Sequence, residues 1–245
     1  MHTRFRAIVP AMALGLGLVP AALCFAETRP VVVELFTSQG CSSCPPADAL
    51  LRDLARRPGI VALGYHIDYW NGLGWNDPLS SPEATARQRA YAGRFDKGQV
   101  YTPQMVVDGT HEMVGSDRAA VLAAIGDGTR PAAAPVHFAA DHDRVTIGAG
   151  SDSGAVLLVR FVRHRTTQVG AGENAHRVAE DADGVENITR LGEWHGAAQD
   201  FAIAPPAPGH GIAVLVQAPD GRMLGAGAVE APATASTSPR PKPRA

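Results

Sequence analysis

The run of apolar and polar positions divides the chain into two halves of different character. In the first half, Val31-Val32-Val33-Glu34-Leu35-Phe36 is a short β-branched run interrupted only by Glu34, which predicts a buried strand. Ala47, Leu50, Leu51, Leu54 and Ala55 then recur at helical spacing, and Arg56-Arg57-Pro58-Gly59 stops that helix, expected over 47–57. Residues 60–67 read as a second strand. Strand, helix and strand of these lengths imply a right-handed parallel crossover, so both strands end at one edge of the sheet. Ser81-Pro82 opens a second helix reaching about Phe95, with Ser81 as its N-cap. Asp108-Gly109 between 101–107 and 110–114 is a hairpin signal. Ser116 is the expected N-cap of a third helix running to Ile125.

Beyond the alanine run between Pro131 and Pro135 the pattern changes to short strand-like runs at 136–138, 145–147, 156–162, 201–203, 212–216 and 224–229. These predict an all-β unit over 131–230, a small sandwich. Within it, residues 170–196 read as a long polar excursion, mobile or packed, that contains Glu173, His176, Glu193, Trp194 and His195. Residues 231–245 are rich in Pro, Ser and Thr and read as a disordered tail.

Composition changes the picture in one respect. A chain of 245 residues with a net charge of -2 and 45% hydrophobic residues carries one or two globular domains and no electrostatic footprint of a nucleic-acid partner. Its first 26 residues, however, read as a signal peptide. Arg4 and Arg6 precede an apolar stretch over 7–19, Pro20 ends it, and Cys24-Phe25-Ala26 forms a small-x-small cleavage site. The stretch is too short to span a bilayer, so the mature chain is expected to be periplasmic or secreted and not membrane-spanning. The richness in Ala, Arg, Gly and Pro suits a GC-rich bacterial genome. Cleavage after Ala26 removes Cys24 and leaves Cys41 and Cys44 in an oxidising compartment.

Those two cysteines carry the candidate chemistry. Cys41-Ser42-Ser43-Cys44 follows a strand and precedes a helix, the setting in which C-x-x-C means thiol–disulfide exchange. The unpaired N–H groups and dipole of the helix start stabilise a thiolate there. Cys41, expected to be the more exposed, would attack, and Cys44, a turn further in, would resolve the mixed disulfide. His66 and Asp68 stand two apart at the end of the second strand, near the same edge. This opens an alternative, a copper or zinc site of Cys41, Cys44 and His66, in which Asp68 could instead orient His66. A further alternative is a non-catalytic binding module with a structural disulfide, although closing so short a loop gains little stability. Trp70 and Trp75, in the loop over 69–81, either form an apolar docking surface or fold inward.

The element order, the C-x-x-C and Thr102-Pro103 before a hairpin resemble the thioredoxin fold over about residues 29–126. More narrowly, Glu34-Leu35-Phe36-Thr37-Ser38-Gln39-Gly40-Cys41, His66-Ile67-Asp68-Tyr69-Trp70 and Tyr101-Thr102-Pro103-Gln104-Met105-Val106-Val107-Asp108-Gly109 resemble a family of secreted bacterial proteins known as domain of unknown function 1223. The thioredoxin resemblance implies an α/β N-terminal domain over 27–130, a four-stranded mixed sheet flanked by helices, followed by the mainly-β C-terminal domain. It implies that Pro103 is cis and faces the cysteines, that Thr102 offers its backbone to an incoming peptide, and that Glu34 is a buried acid relaying protons to the inner cysteine. No cofactor beyond the redox-active disulfide is implied. The partners implied are protein thiols or disulfides, with a membrane redox protein as a further candidate. Gly40 before the first cysteine and the two serines between the cysteines depart from thioredoxin.

Overall fold

The computed structural model describes residues 28–96, 98–126, 130 and 132–231. The expected signal peptide with Cys24, and the tail beyond Ala231, lie outside these residues. Val31–Thr37 forms β1 and Ile60–His66 forms β2. They are parallel and in register from Val31 opposite Ile60 to Thr37 opposite His66, so the chain leaving β1 toward the cysteines passes beside His66. Between them Pro45–Ala55 is α1, which starts before the apolar spacing indicates. Pro45 and Pro46 fill the first helical positions, where a missing N–H costs nothing.

Pro82–Arg94 is α2, capped as expected by Ser81, whose hydroxyl accepts the Ala84 N–H at 3.1 Å. Gln104–Val107 forms β3, antiparallel to β1, and His111–Val114 forms β4, antiparallel to β3. The turn between them holds Asp108 at φ 52° and Gly109 at φ 72°, which is why Asp-Gly stands there. Arg118–Gly126 is α3. Its cap is Asp117 rather than Ser116, since Asp117 Oδ1 accepts the Ala120 N–H at 3.0 Å.

The strands that follow are β5 (Val136–Phe138), β6 (Arg144–Ile147), β7 (Gly154–Gln168), β8 (Val178–Trp194), β9 (Gln199–Ala202), β10 (His210–Gln217) and β11 (Met223–Glu230). Two expectations are corrected here. The four strands β2-β1-β3-β4 are not a sheet of their own but one end of an eight-stranded mixed sheet ordered β11-β10-β7-β8-β2-β1-β3-β4. The polar excursion over 170–196 is largely β8, paired with β7 from Gln168–Val178 to Gly154–Trp194. The two halves meet where Gly64 of β2 stands opposite Gly184 of β8. A Cβ on Gly64 would lie 3.3 Å from the Ala182 carbonyl oxygen, and one on Gly184 would lie 2.9 Å from Leu79 Cδ1, so glycine at both positions lets the seam close without its neighbours shifting.

Successive residues of β1 serve opposite faces. Val33 and Leu35 pack with Leu50, Leu51, Leu54 and Val121 beneath α1 and α3. Val32 and Phe36 pack with Leu63, Tyr65 and Tyr91 on the α2 side. A second, three-stranded sheet, β5-β6-β9, covers the far half, with Val145, Ile147, Trp194 and Val214 between the layers. The result is a mixed α/β structure in which one large mixed sheet is flanked by helices. Among the described residues no helix is long and apolar enough to cross a membrane.

Candidate active site at the cysteine edge

The chain leaves β1 at Thr37 and turns tightly through Ser38-Gln39-Gly40. Ser38 holds the turn, its carbonyl accepting the Cys41 N–H at 3.1 Å and its hydroxyl accepting the Gly40 N–H at 3.0 Å. Cys41 and Cys44 are joined in a disulfide with Cα atoms 5.4 Å apart. Cys44 is the N-cap of α1, so the disulfide sits at the positive end of the helix dipole. The Thr102–Pro103 peptide, which leads into β3, is cis and lies against this loop. Ser43 Oγ stands 3.3 Å from Cys41 Sγ and donates to the Thr102 carbonyl at 3.5 Å. Cys41, Cys44, Thr102 and Pro103, four of the residues singled out from the sequence, are thus brought together. Cys41 is not the exposed cysteine expected: it and Cys44 are both 0% exposed, while Ser42 and Ser43 are open to solvent.

Beneath the turn lies a buried ionic network. His66 Nδ1 is 2.7 Å from Asp77 Oδ2, and its Nε2 is 3.8 Å from Asp181 Oδ1. Asp77 Oδ2 also accepts the Gln39 N–H at 2.8 Å, and Asp181 Oδ2 accepts from Gln39 Nε2 at 2.7 Å. Burial alone would pull the His66 pKa down, but Asp77, Asp181 and Asp48 push it up to about 9, so the ring is an imidazolium at neutral pH. Burial likewise works against the Asp77 carboxylate, yet the His66 charge and the Gln39 and Leu79 N–H groups hold it below its ordinary range. For Asp181, burial wins and raises the pKa despite His66 and Gln39. Asp48, four residues after Cys44 on α1, is raised to about 7 by burial against the opposing Thr37 hydrogen bond and the His66 charge. Its Oδ1 accepts from Thr37 Oγ1 at 2.7 Å. Asp48, Gln39, Pro45, Asn174 and Arg177 line a small cavity of about 140 Å³ beside α1.

Asp48, Asp77 and Asp181 were not singled out from the sequence. Asp77 lies in the loop over 69–81, and Asp181 lies on a strand the pattern had not shown. The expected partner of His66, Asp68, turns away and accepts from Thr85 Oγ1 at 2.6 Å. Both ring nitrogens of His66 face carboxylates. Among the described residues no group of three or more His, Cys, Asp or Glu side chains is arranged to hold one. Glu34 points to the α2 side of β1, opposite the face that packs on α1. It is fully buried, 2.5 Å from Arg87 Nε, and accepts from the Tyr91 hydroxyl. It is therefore committed to that pair, and the carboxyl on the cysteines' own helix one turn after Cys44 is Asp48. Trp70 and Trp75 are half-buried braces: Trp70 Nε1 donates to Thr102 Oγ1 at 2.9 Å and Trp75 Nε1 to Gln39 Oε1 at 3.2 Å.

The tip between β7 and β8 completes the site. Asn174 Nδ2 donates to the carbonyls of Gln39 at 2.9 Å and Cys41 at 2.8 Å, and Glu173 Oε2 accepts the Ser42 N–H at 3.0 Å. Ser42 holds the Glu173 carboxyl below its ordinary range.

Comparison with known proteins places the chain in a family. A crystal structure of a protein from Agrobacterium tumefaciens is similar with a TM-score of 0.69 and 32% identity, covering 83% of this chain and 95% of that one. HBP35 of Porphyromonas gingivalis shares the fold more loosely, with a TM-score of 0.54 and 17% identity over 88% of this chain and 80% of the other. No curated protein matches the chain. The family model described as protein of unknown function (DUF1223) matches residues 32–217, and the chain belongs to that family.

Proposed function

We propose that the protein is an exported thiol–disulfide oxidoreductase acting on protein thiols and disulfides through Cys41 and Cys44. The observation that carries this is the Cys41–Cys44 disulfide at the start of α1, facing the cis Thr102–Pro103 peptide. The strand order β2-β1-β3-β4, with β2 parallel and β3 antiparallel to β1, supports a thioredoxin-like reading of this end of the sheet. The charged start and small-x-small site of residues 1–26 support export.

Exchange proceeds by thiolate attack. A substrate thiolate attacks Cys41 Sγ, the Cys41–Cys44 bond breaks, and Cys44 leaves as a thiolate with the bonding electrons. A second substrate thiolate attacks the substrate sulfur of the mixed disulfide and releases Cys41, so two electrons pass from the substrate dithiol to the protein. In reverse, the Cys41 thiolate attacks a substrate disulfide and Cys44 resolves the adduct. The helix dipole favours the Cys41 thiolate in both directions. Asp48, poised near neutrality, is the candidate proton carrier for Cys44, the role the resemblance had suggested for Glu34.

Burial of both cysteines favours a second reading, a binding module with a structural disulfide. Trapping separates the two. Cys44→Ser leaves Cys41 with no resolving thiol, so mixed disulfides with other proteins are expected on non-reducing gels and lost when Cys41 is also replaced. Absence of Cys41-dependent adducts favours the binding module.

A further inference from the structure

We propose that residues 170–177 form a strap latched over the cysteine loop, and that Asn174 is the positioning residue that makes the site select extended polypeptides over small thiols. This rests on the exchange reading above. The latch is small and polar. Asn174 is 4% exposed, and its amide nitrogen bridges the Gln39 and Cys41 carbonyls, the backbone on either side of Gly40. Beside it the Glu173 carboxylate covers the Ser42 N–H at the helix start. Gly170 and Gly172 lie flat on Trp75, where an added Cβ on either would come within 3.2 Å of that side chain. The base of the strap is closed on itself, Val169 and Arg177 sharing a hydrogen bond of 2.9 Å and His176 donating back to the Val169 carbonyl at 2.9 Å.

Closure carries its own penalty. Asn174 Oδ1 is buried with no hydrogen-bond partner among the described residues. An unpaired buried acceptor opposes the state that buries it, and opening returns it to water. A few polar contacts with one unsatisfied atom are what an element that opens locally requires. When the strap lifts, the Gln39 and Cys41 carbonyls lose their donor. An extended polypeptide can supply backbone N–H groups to such carbonyls, as in strand addition. A small thiol has none to offer. The strap is thus displaced at little cost by a cysteine-bearing segment and at full cost by a small reagent.

The test compares two reductants on the oxidised full chain, the wild type, Asn174→Ala and Asn174→Asp. The small one is dithiothreitol, whose first thiolate opens the disulfide and whose second closes its own ring and releases the protein dithiol. The other is an unstructured peptide carrying two reduced cysteines, which is oxidised to its own disulfide in the same way. Asn174→Ala is expected to speed reduction by dithiothreitol about tenfold, the effect of losing one net hydrogen bond of ordinary strength, while the peptide rate rises much less. Asn174→Asp keeps the shape, loses both donors and is expected to behave the same way. Equal acceleration of both reductants is what general loosening of the fold would give, and it overturns the strap, as does no acceleration of either while exchange proceeds. If neither reductant opens the disulfide in any of the three proteins, the exchange reading fails together with the strap.

Discussion

Two buried ionic clusters lie on either side of β1 and β2, and they are built for different ends. On the α2 side, Glu34 is paired with Arg87 and takes a hydrogen bond from Tyr91. Burial opposes the Arg87 charge, but Glu34 beside it raises the Arg87 pKa further still, so the guanidinium keeps its charge. At the cysteine edge a single imidazolium, His66, is shared among Asp77, Asp181 and Asp48, and burial raises two of these carboxyls. The first cluster is one guanidinium matched to one carboxylate and one phenol. The second holds Asp48, raised to about 7, and His66, raised to about 9, under the loop that presents the disulfide. The difference teaches that burial of charge is not itself a mark of function; sharing of charge beside a reactive group is the more telling sign.

The largest expected effect breaks the first cluster. Glu34→Ala leaves Arg87 buried without its counter-charge and is expected to cost about 3–5 kcal/mol in urea unfolding. Disulfide reactivity should stay at the wild-type level, because Glu34 faces away from α1. A change in reactivity without a loss of stability would show that the two clusters are not separate.

The next effect strikes the second cluster. Asp77→Ala removes the partner of His66 and the acceptor of the Gln39 and Leu79 N–H groups. A loss of about 3 kcal/mol is expected, together with faster reduction of Cys41–Cys44 as the turn over 38–40 loosens. Here stability and reactivity should move together, measured by urea unfolding and by the rate of reduction.

A smaller effect depends on pH. The His66 pKa is raised from 6.5 to about 9, so its contribution is fully present below pH 6.5 and is lost as pH rises through 9. Stability should therefore fall between pH 7 and 9, by something on the order of 2 kcal/mol. Asp48 has the same sign in a lower window, since its raised carboxyl destabilises the fold as it ionises between pH 3.8 and about 7. His66→Gln should flatten the upper part of the profile, whereas Asp48→Asn should flatten the lower part. Unfolding curves at half-unit pH steps check both.

Of the first cluster Glu34 was legible in the sequence but its partners Arg87 and Tyr91 were not, and most of the second cluster was not legible either. Glu34 stood out because it interrupts an apolar run, and Asp108-Gly109, Ser81-Pro82 and the C-x-x-C each named a local structure that formed. Such signals work because each is satisfied within a few residues of itself. β8 was illegible because Glu180, Asp181, Asp183, Asn187 and Thr189 break the strand pattern, and the reason for the acids lies elsewhere in the chain. Asp181 bonds Gln39 across 142 residues of sequence, and Asn174 reaches Cys41 across 133. Gly184 signals nothing alone; it stands opposite Gly64 where the halves join. The seam that joins the halves into one sheet therefore had no local signature.

The smallest expected effect concerns Glu173, whose carboxylate is exposed at the helix start. Glu173→Gln removes a negative charge that competes with a thiolate for the same dipole, so the Cys41 thiolate should become slightly easier to form. Screening by solvent limits the gain to about twofold in the rate of alkylation of the reduced protein.

The central claim, that Cys41–Cys44 is a working redox pair and not a staple, is tested most directly by its reduction potential. Full-length protein would be equilibrated with glutathione buffers and the thiols counted after alkylation. Reversible equilibration at a potential within the span of about -120 to -270 mV known for exchange proteins is the expected result. A disulfide that stays oxidised until the potential falls below about -300 mV, as structural disulfides do, would contradict it.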